Sequence, residues 1–117
     1  GGAVSAPEGP EVGARGGDLL VAGGAVLLDV RELDEWAAGH APAAVHVPLG
    51  ALGATSTDGW SGSRVVVICR SGNRSRTATD ALLSRGIDAL NLAGGMRAWD
   101  AAGLPVVTSA GGTGRVI

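Results

Sequence analysis

The chain's single cysteine stands in the stretch Cys69-Arg70-Ser71-Gly72-Asn73-Arg74-Ser75. A thiol is nucleophilic in its ionised form, and it ionises readily beside cations or a helix N-terminus. Both are expected here. Four arginines and no acid fall between Arg64 and Thr79, so in a chain of net charge −2 the remainder carries −6. The preceding Val65-Val66-Val67-Ile68 is an apolar run that reads as a buried parallel strand, and a helical pattern begins near Arg74. Cys69 is therefore expected at the carboxyl end of a strand, where open α/β sheets bind their ligands. The loop after it should aim successive amides and a helix N-terminus at one spot, forming an anion cradle. A cysteine kept for packing alone would gain nothing from Arg70, Arg74 and Arg76 beside it.

The elements that must position this loop follow from the rest of the chain. Its 117 residues are enough for one compact domain. A 45% hydrophobic and 17% charged composition excludes a disordered chain and suits helices packed on a sheet. Net acidity, with no basic stripe away from the cysteine, argues against nucleic-acid binding. No apolar run reaches membrane-spanning length, and the first residues show neither the charged start nor the apolar stretch of a signal peptide. The expected location is cytoplasmic. A lone cysteine excludes an internal disulfide.

Residues 1–10 read as a flexible lead-in, and Glu11 to Val21 as a short strand and a helix ending at Gly23-Gly24. Ala25 to Val30 reads as a second strand. Glu32 to Ala38 follows as a helix with acids in its first turn and Leu33, Trp36 and Ala37 on one face. Gly39 is expected to stop it in a left-handed conformation. Val45 to Val47 is a short strand, and Leu49 to Ser63 holds turns, Trp60 and a possible short helix. After the cysteine loop, Ala78, Ala81, Leu82 and Arg85 fall at helical spacing up to Gly86. Ile87 to Leu92 is another strand, and Gly94-Gly95 turns into a last helix carrying Met96 and Trp99. Strands alternating with helices imply an α/β fold, a parallel sheet covered on both faces. Residues 109–117 look like a loose C-terminal tail around a domain spanning 11–108.

Cys69-Arg70-Ser71-Gly72-Asn73-Arg74-Ser75 resembles the active-site loop of single-domain rhodaneses, the thiosulfate sulfurtransferases. Asp29-Val30-Arg31-Glu32, Gly39-His40 and Val45-His46-Val47-Pro48-Leu49 are similar to that family's first block. Ala93-Gly94-Gly95-Met96-Arg97-Ala98-Trp99 and Gly103-Leu104-Pro105-Val106 are similar to its closing block. Ala43 follows Pro42 where the family has glycine. The resemblance implies a rhodanese-like fold, a central, mostly parallel five-stranded sheet flanked by helices on both faces. It also implies sulfur transfer in two steps. Cys69 thiolate would take the outer sulfur of thiosulfate or a similar anionic donor as a persulfide and pass it to cyanide or a thiol acceptor. Amides of Arg70 to Ser75 would stabilise the negative sulfur, and the Arg70 and Arg74 guanidiniums would hold the sulfonate oxygens. Gly72 would supply a positive φ or room for the loop, and Ser71, Asn73 and Ser75 would orient the loop or cap the helix.

Two other readings share the loop. A phosphatase or arsenate reductase also surrounds a cysteine with amides, but the tyrosine-phosphatase signature places arginine after five intervening residues. Here four separate Cys69 from Arg74, and Ser75 occupies the required position. A persulfide relay delivering sulfur to a protein partner would need the loop unchanged. No cofactor and no metal is expected, since two histidines and one cysteine lack ligand spacing. His40 reads as a structural hydrogen-bonding residue, His46 as lying on a solvated strand face, and Trp36 and Trp99 as core. Trp60 could border the pocket. Asp29 reads as structural support, bonding loop amides or Arg31. Arg31 is either a recruiter of anionic substrate or a surface partner of Glu35.

Overall fold

The computed structural model describes residues 10–117, so the lead-in read over 1–10 lies outside the described residues except for Pro10. Five parallel strands form one sheet in the order β1-β5-β4-β2-β3. They are β1 (Glu11–Val12), β2 (Val26–Asp29), β3 (Val45–His46), β4 (Arg64–Ile68) and β5 (Asp88–Leu92). The helices between and after them are α1 (Ala14–Ala22), α2 (Leu33–Ala38), α3 (Leu49–Leu52), α4 (Asn73–Ser84) and α5 (Gly95–Ala101), with a single 3-10 turn over Asp58–Trp60.

The continuous apolar run of β4 is explained by its central place in the sheet, where both faces are covered. Successive side chains go to opposite faces. Val65, Val67 and Cys69 join one core with Leu28, Leu52 and Ala78, under α3 and α4. Val66 and Ile68 join the other with Leu27, Leu92 and Trp99, under α1 and α5. All five residues Val65 to Cys69 are within 1% of complete burial, and each buried valine or isoleucine stabilises the fold by roughly 1.5–3 kcal/mol relative to exposure. Cys69 is thus the buried residue that directly follows the central strand. Trp60, half-buried, packs against the α3/α4 core that also contains Cys69.

Three local expectations are corrected. No residue of α2 is buried, Leu33 is 69% exposed, and Trp36 is covered by its stack on His40 (centroids 3.6 Å apart) and on His46. The helix buries none of its residues, so its apolar spacing does not mark a face packed into the core. Gly39 has φ 167°, ordinary extended backbone. Glycine is needed there because a Cβ would collide with the backbone of Arg115. Residues 109–117 are likewise not loose. Gly114 N donates to Val106 O (2.8 Å), Arg115 N to Ala38 O (2.9 Å), and Val107 bridges both Thr113 and His40.

Candidate active site

The chain leaves β4 at Ile68, turns through Cys69 to Ser71, and enters α4 through Gly72, whose φ of +111° a side chain would strain. The turn brings donors onto one sulfur. Gly72 N lies 3.1 Å from Cys69 Sγ and Ser75 Oγ lies 3.2 Å from it. Burial pushes the Cys69 thiol up, but the Ser75 hydroxyl and the amides of Ser75, Gly72 and Ser71 outweigh it and hold the thiol below its ordinary value.

The amides can face the sulfur because the loop's carbonyls are held from behind. Met96 N donates to Cys69 O (2.7 Å) and Arg97 N to Arg70 O (3.0 Å), so the first turn of α5 grips the loop through its own spare N–H groups. Gly95 makes that approach possible. A Cβ there would collide with the carbonyls of Cys69 and Arg70, and its φ is +57°.

A buried polar chain runs inward from the sulfur. Ser75 Oγ lies 2.5 Å from Asn91 Oδ1, and Asn91 Nδ2 donates to Gly72 O (3.2 Å) and to Glu11 Oε2 (3.1 Å), where Arg76 also binds. The two bonds from Nδ2 fix which end of the amide faces Ser75. A hydroxyl has one hydrogen and here two acceptors. It lies within reach of both, Asn91 Oδ1 on one side and Cys69 Sγ on the other. Ser75 is therefore directed at Cys69, and the first turn of α4 carries no side-chain cap from Asn73 or Ser75. Asn73 and Ser71 are exposed at the rim.

The arginines are distributed differently from the sequence reading, which placed a net positive cluster at the cysteine. Arg64 is at the far end of β4, paired with Asp88 (3.0 Å). Arg76 pairs with Glu11. Arg74 binds Glu35 of α2 through both terminal nitrogens, at 2.6 and 2.8 Å. Arg70 donates from Nε to Ile117 O (2.8 Å). The thiol is acidified by hydroxyl and amide dipoles before any guanidinium. Arg31 is also corrected. It is fully buried, clasping Asp29 through Nε (3.0 Å) and Nη2 (2.8 Å) and donating to Glu35 O and Gly39 O, so it has no surface with which to meet a substrate. Asp29 is its structural partner. Neither histidine reaches the sulfur. His40 Nδ1 donates to Trp36 O, and His46, only partly exposed, donates from Nε2 to Arg31 O.

Sequence reasoning missed Asn91 and Glu11, and it paired Glu35 with Arg31 where the structure pairs its carboxylate with Arg74. Asn91 left a signal, a polar residue between Leu90 and Leu92 at an inward position of the strand. Glu35 left a misleading one, since an acid in a helix's first turn is explained by the helix dipole alone.

A parallel sheet whose central strand delivers a cysteine into an amide-lined turn, braced by the next strand and helix, defines an α/β protein with a lone thiol at the sheet's carboxyl edge. The rhodanese-like domain profile matches residues 17–102, and the chain belongs to that family. It is similar to a rhodanese-like domain protein of Staphylococcus aureus, at 26% identity and TM-score 0.72, over 78% of this chain and 91% of that one. It is also similar to a thiosulfate sulfurtransferase of Pseudomonas aeruginosa, at 27% identity and TM-score 0.77, over 92% of this chain but 22% of that longer one. A Rhodopseudomonas palustris protein described as a possible tyrosine phosphatase shares the fold at 22% identity and TM-score 0.74, over 83% of each chain.

Proposed function

We propose that the protein is a sulfurtransferase in which Cys69 carries sulfur as a persulfide. Membership of the rhodanese family supports sulfurtransferase-type chemistry in general. The observation that carries the particular reading is the set of donors on Cys69 Sγ, the Gly72 amide and the Ser75 hydroxyl, with no base in contact. Such a set serves a sulfur that is already anionic and needs no proton removed during attack. The thiolate forms a bond to the outer sulfur of thiosulfate or a similar donor. The sulfur–sulfur bond within the donor breaks, and its electron pair leaves on sulfite. The persulfide's terminal sulfur then carries the negative charge, which the amides from Arg70 to Ser75 stabilise.

Arg74 and Arg70 border the entrance and would meet the donor's oxygens. Cyanide or a thiol, on a small molecule or on a partner protein, attacks the outer sulfur and restores the thiolate. A free thiol that must stay reduced between turnovers fits a reducing compartment, hence the cytoplasm. The loop count, four residues between Cys69 and Arg74, supports sulfur over phosphate or arsenate chemistry.

Two half-reactions sharing one sulfur should give parallel double-reciprocal lines when cyanide is varied at several thiosulfate concentrations. Intersecting lines would mean that both substrates bind together and no persulfide stands between them.

A further inference from the structure

The Arg74 guanidinium, expected from the sequence to hold a donor's oxygens, is already engaged. Both terminal nitrogens of Arg74 bind the Glu35 carboxylate, which also accepts from Glu32 N at 3.0 Å, inside the capping box that starts α2. Glu35 is 12% exposed and Arg74 is 35% exposed, so the pair lies at the site's rim, half withdrawn from water. The pair is tied to the cysteine loop through α4, because Arg74 directly precedes Ser75, whose hydroxyl lies 3.2 Å from Cys69 Sγ, and an ionised Cys69 also acts on Arg74 through space. Arg74 pushes Glu35 down to about 2, so the carboxylate keeps its charge at any working pH. A donor entering beside Arg74 therefore meets a matched charge pair and not a free cation.

We propose that Glu35 sets the charge of the sulfur donor, disfavouring dianions such as thiosulfate and favouring singly charged or neutral sulfane-sulfur compounds. The proposal rests on the sulfur-transfer reading above. A dianion feels twice the repulsion a monoanion feels from the same carboxylate, and it must displace Glu35 to gain a two-point grip on Arg74. Thiosulfate and methanethiosulfonate test this cleanly. In both, the thiolate bonds to a terminal sulfur and an S–S bond breaks. The electron pair leaves on sulfite from the first and on methanesulfinate from the second, so the donors differ chiefly by one charge.

Persulfide formation on the full chain should be timed with each donor, in the parent, Glu35→Gln and Glu35→Asp. Glutamine keeps an oxygen for Glu32 N and removes the charge. We expect Glu35→Gln to raise the rate constant with thiosulfate about tenfold and with methanethiosulfonate about threefold, the square root of the first. The gain should lie in KM and shrink as salt is added. Glu35→Asp should keep the parental ratio of the two donors. Because each ratio comes from one sample, the folded fraction cancels. An unchanged ratio in Glu35→Gln, or a fall with thiosulfate, overturns the proposal and leaves Glu35 as a brace for Arg74. Alkylation of Cys69 by iodoacetate against iodoacetamide separates the two readings. An iodoacetate preference raised about threefold by Glu35→Gln, with no persulfide from either donor, would keep the charge effect and end the sulfur-transfer reading. No change in that preference would end the charge effect itself.

Discussion

At Cys69 the decisive neighbour is a hydroxyl. Ser75 is the foremost group favouring ionisation of the thiol, ahead of the loop amides. Ser75→Ala should therefore raise the pH at which Cys69 reacts half-maximally with iodoacetamide, while Arg74→Gln should move it less. A shift of equal size in both variants would restore the arginines as the cause. Stability has a matching sign. The folded value lies below the ordinary 9.0, so ionised sulfur adds stability that is complete above that pH and is lost as pH falls through the folded value. Ser75→Ala should thus be most destabilising under alkaline conditions, beyond the cost of about 1–3 kcal/mol for leaving the buried Asn91 oxygen without its donor. The cysteine, Gly72 and the loop's length were legible in the sequence, because a lone thiol after an apolar run states its own setting. The charge balance was not. The carboxylates that answer Arg64, Arg74 and Arg76 lie 24, 39 and 65 residues away along the chain, and a count of arginines within one stretch carries no information about partners folded onto it.

Among the elements, the first turn of α5 decides the shape of the cysteine loop. Its N–H groups hold the carbonyls of Cys69 and Arg70, and Gly95 gives them access. Gly95→Ala should destabilise the protein by about 2–4 kcal/mol, combining overpacking with a strained φ. It should also lower the rate of persulfide formation in the fraction that stays folded. A urea titration beside a single-turnover assay checks both, and a variant of parental stability and rate would remove α5 from the account. Strands and helices were readable where burial marks the sequence, as a continuous apolar run in β4 and as a helical period in α4, whose Ala78 and Leu82 are buried. Reading failed at α2 because helical spacing says which residues share a face and not what covers that face. The role of Gly94-Gly95 was hidden for a similar reason. A glycine pair announces a turn but not the backbone that approaches it.

Over the whole molecule, the parallel sheet was legible and the closure of the chain was not. The C-terminal residues have no periodicity, and their docking depends on the bare Cα of Gly39 and on Arg70 reaching Ile117. That return links the far end of the chain to the cysteine loop. The sulfur account can be tested on the intact protein because the chain holds one cysteine and one methionine, and Met96 is fully buried. The most direct measurement is the intact mass before and after thiosulfate, for the parent and for Cys69→Ser. The parent should gain the mass of one sulfur atom and lose it to cyanide with thiocyanate release, and Cys69→Ser should gain nothing. A parent that gains no sulfur while its thiol still reacts with iodoacetamide would contradict a Cys69 persulfide, as would an equal gain in the serine variant.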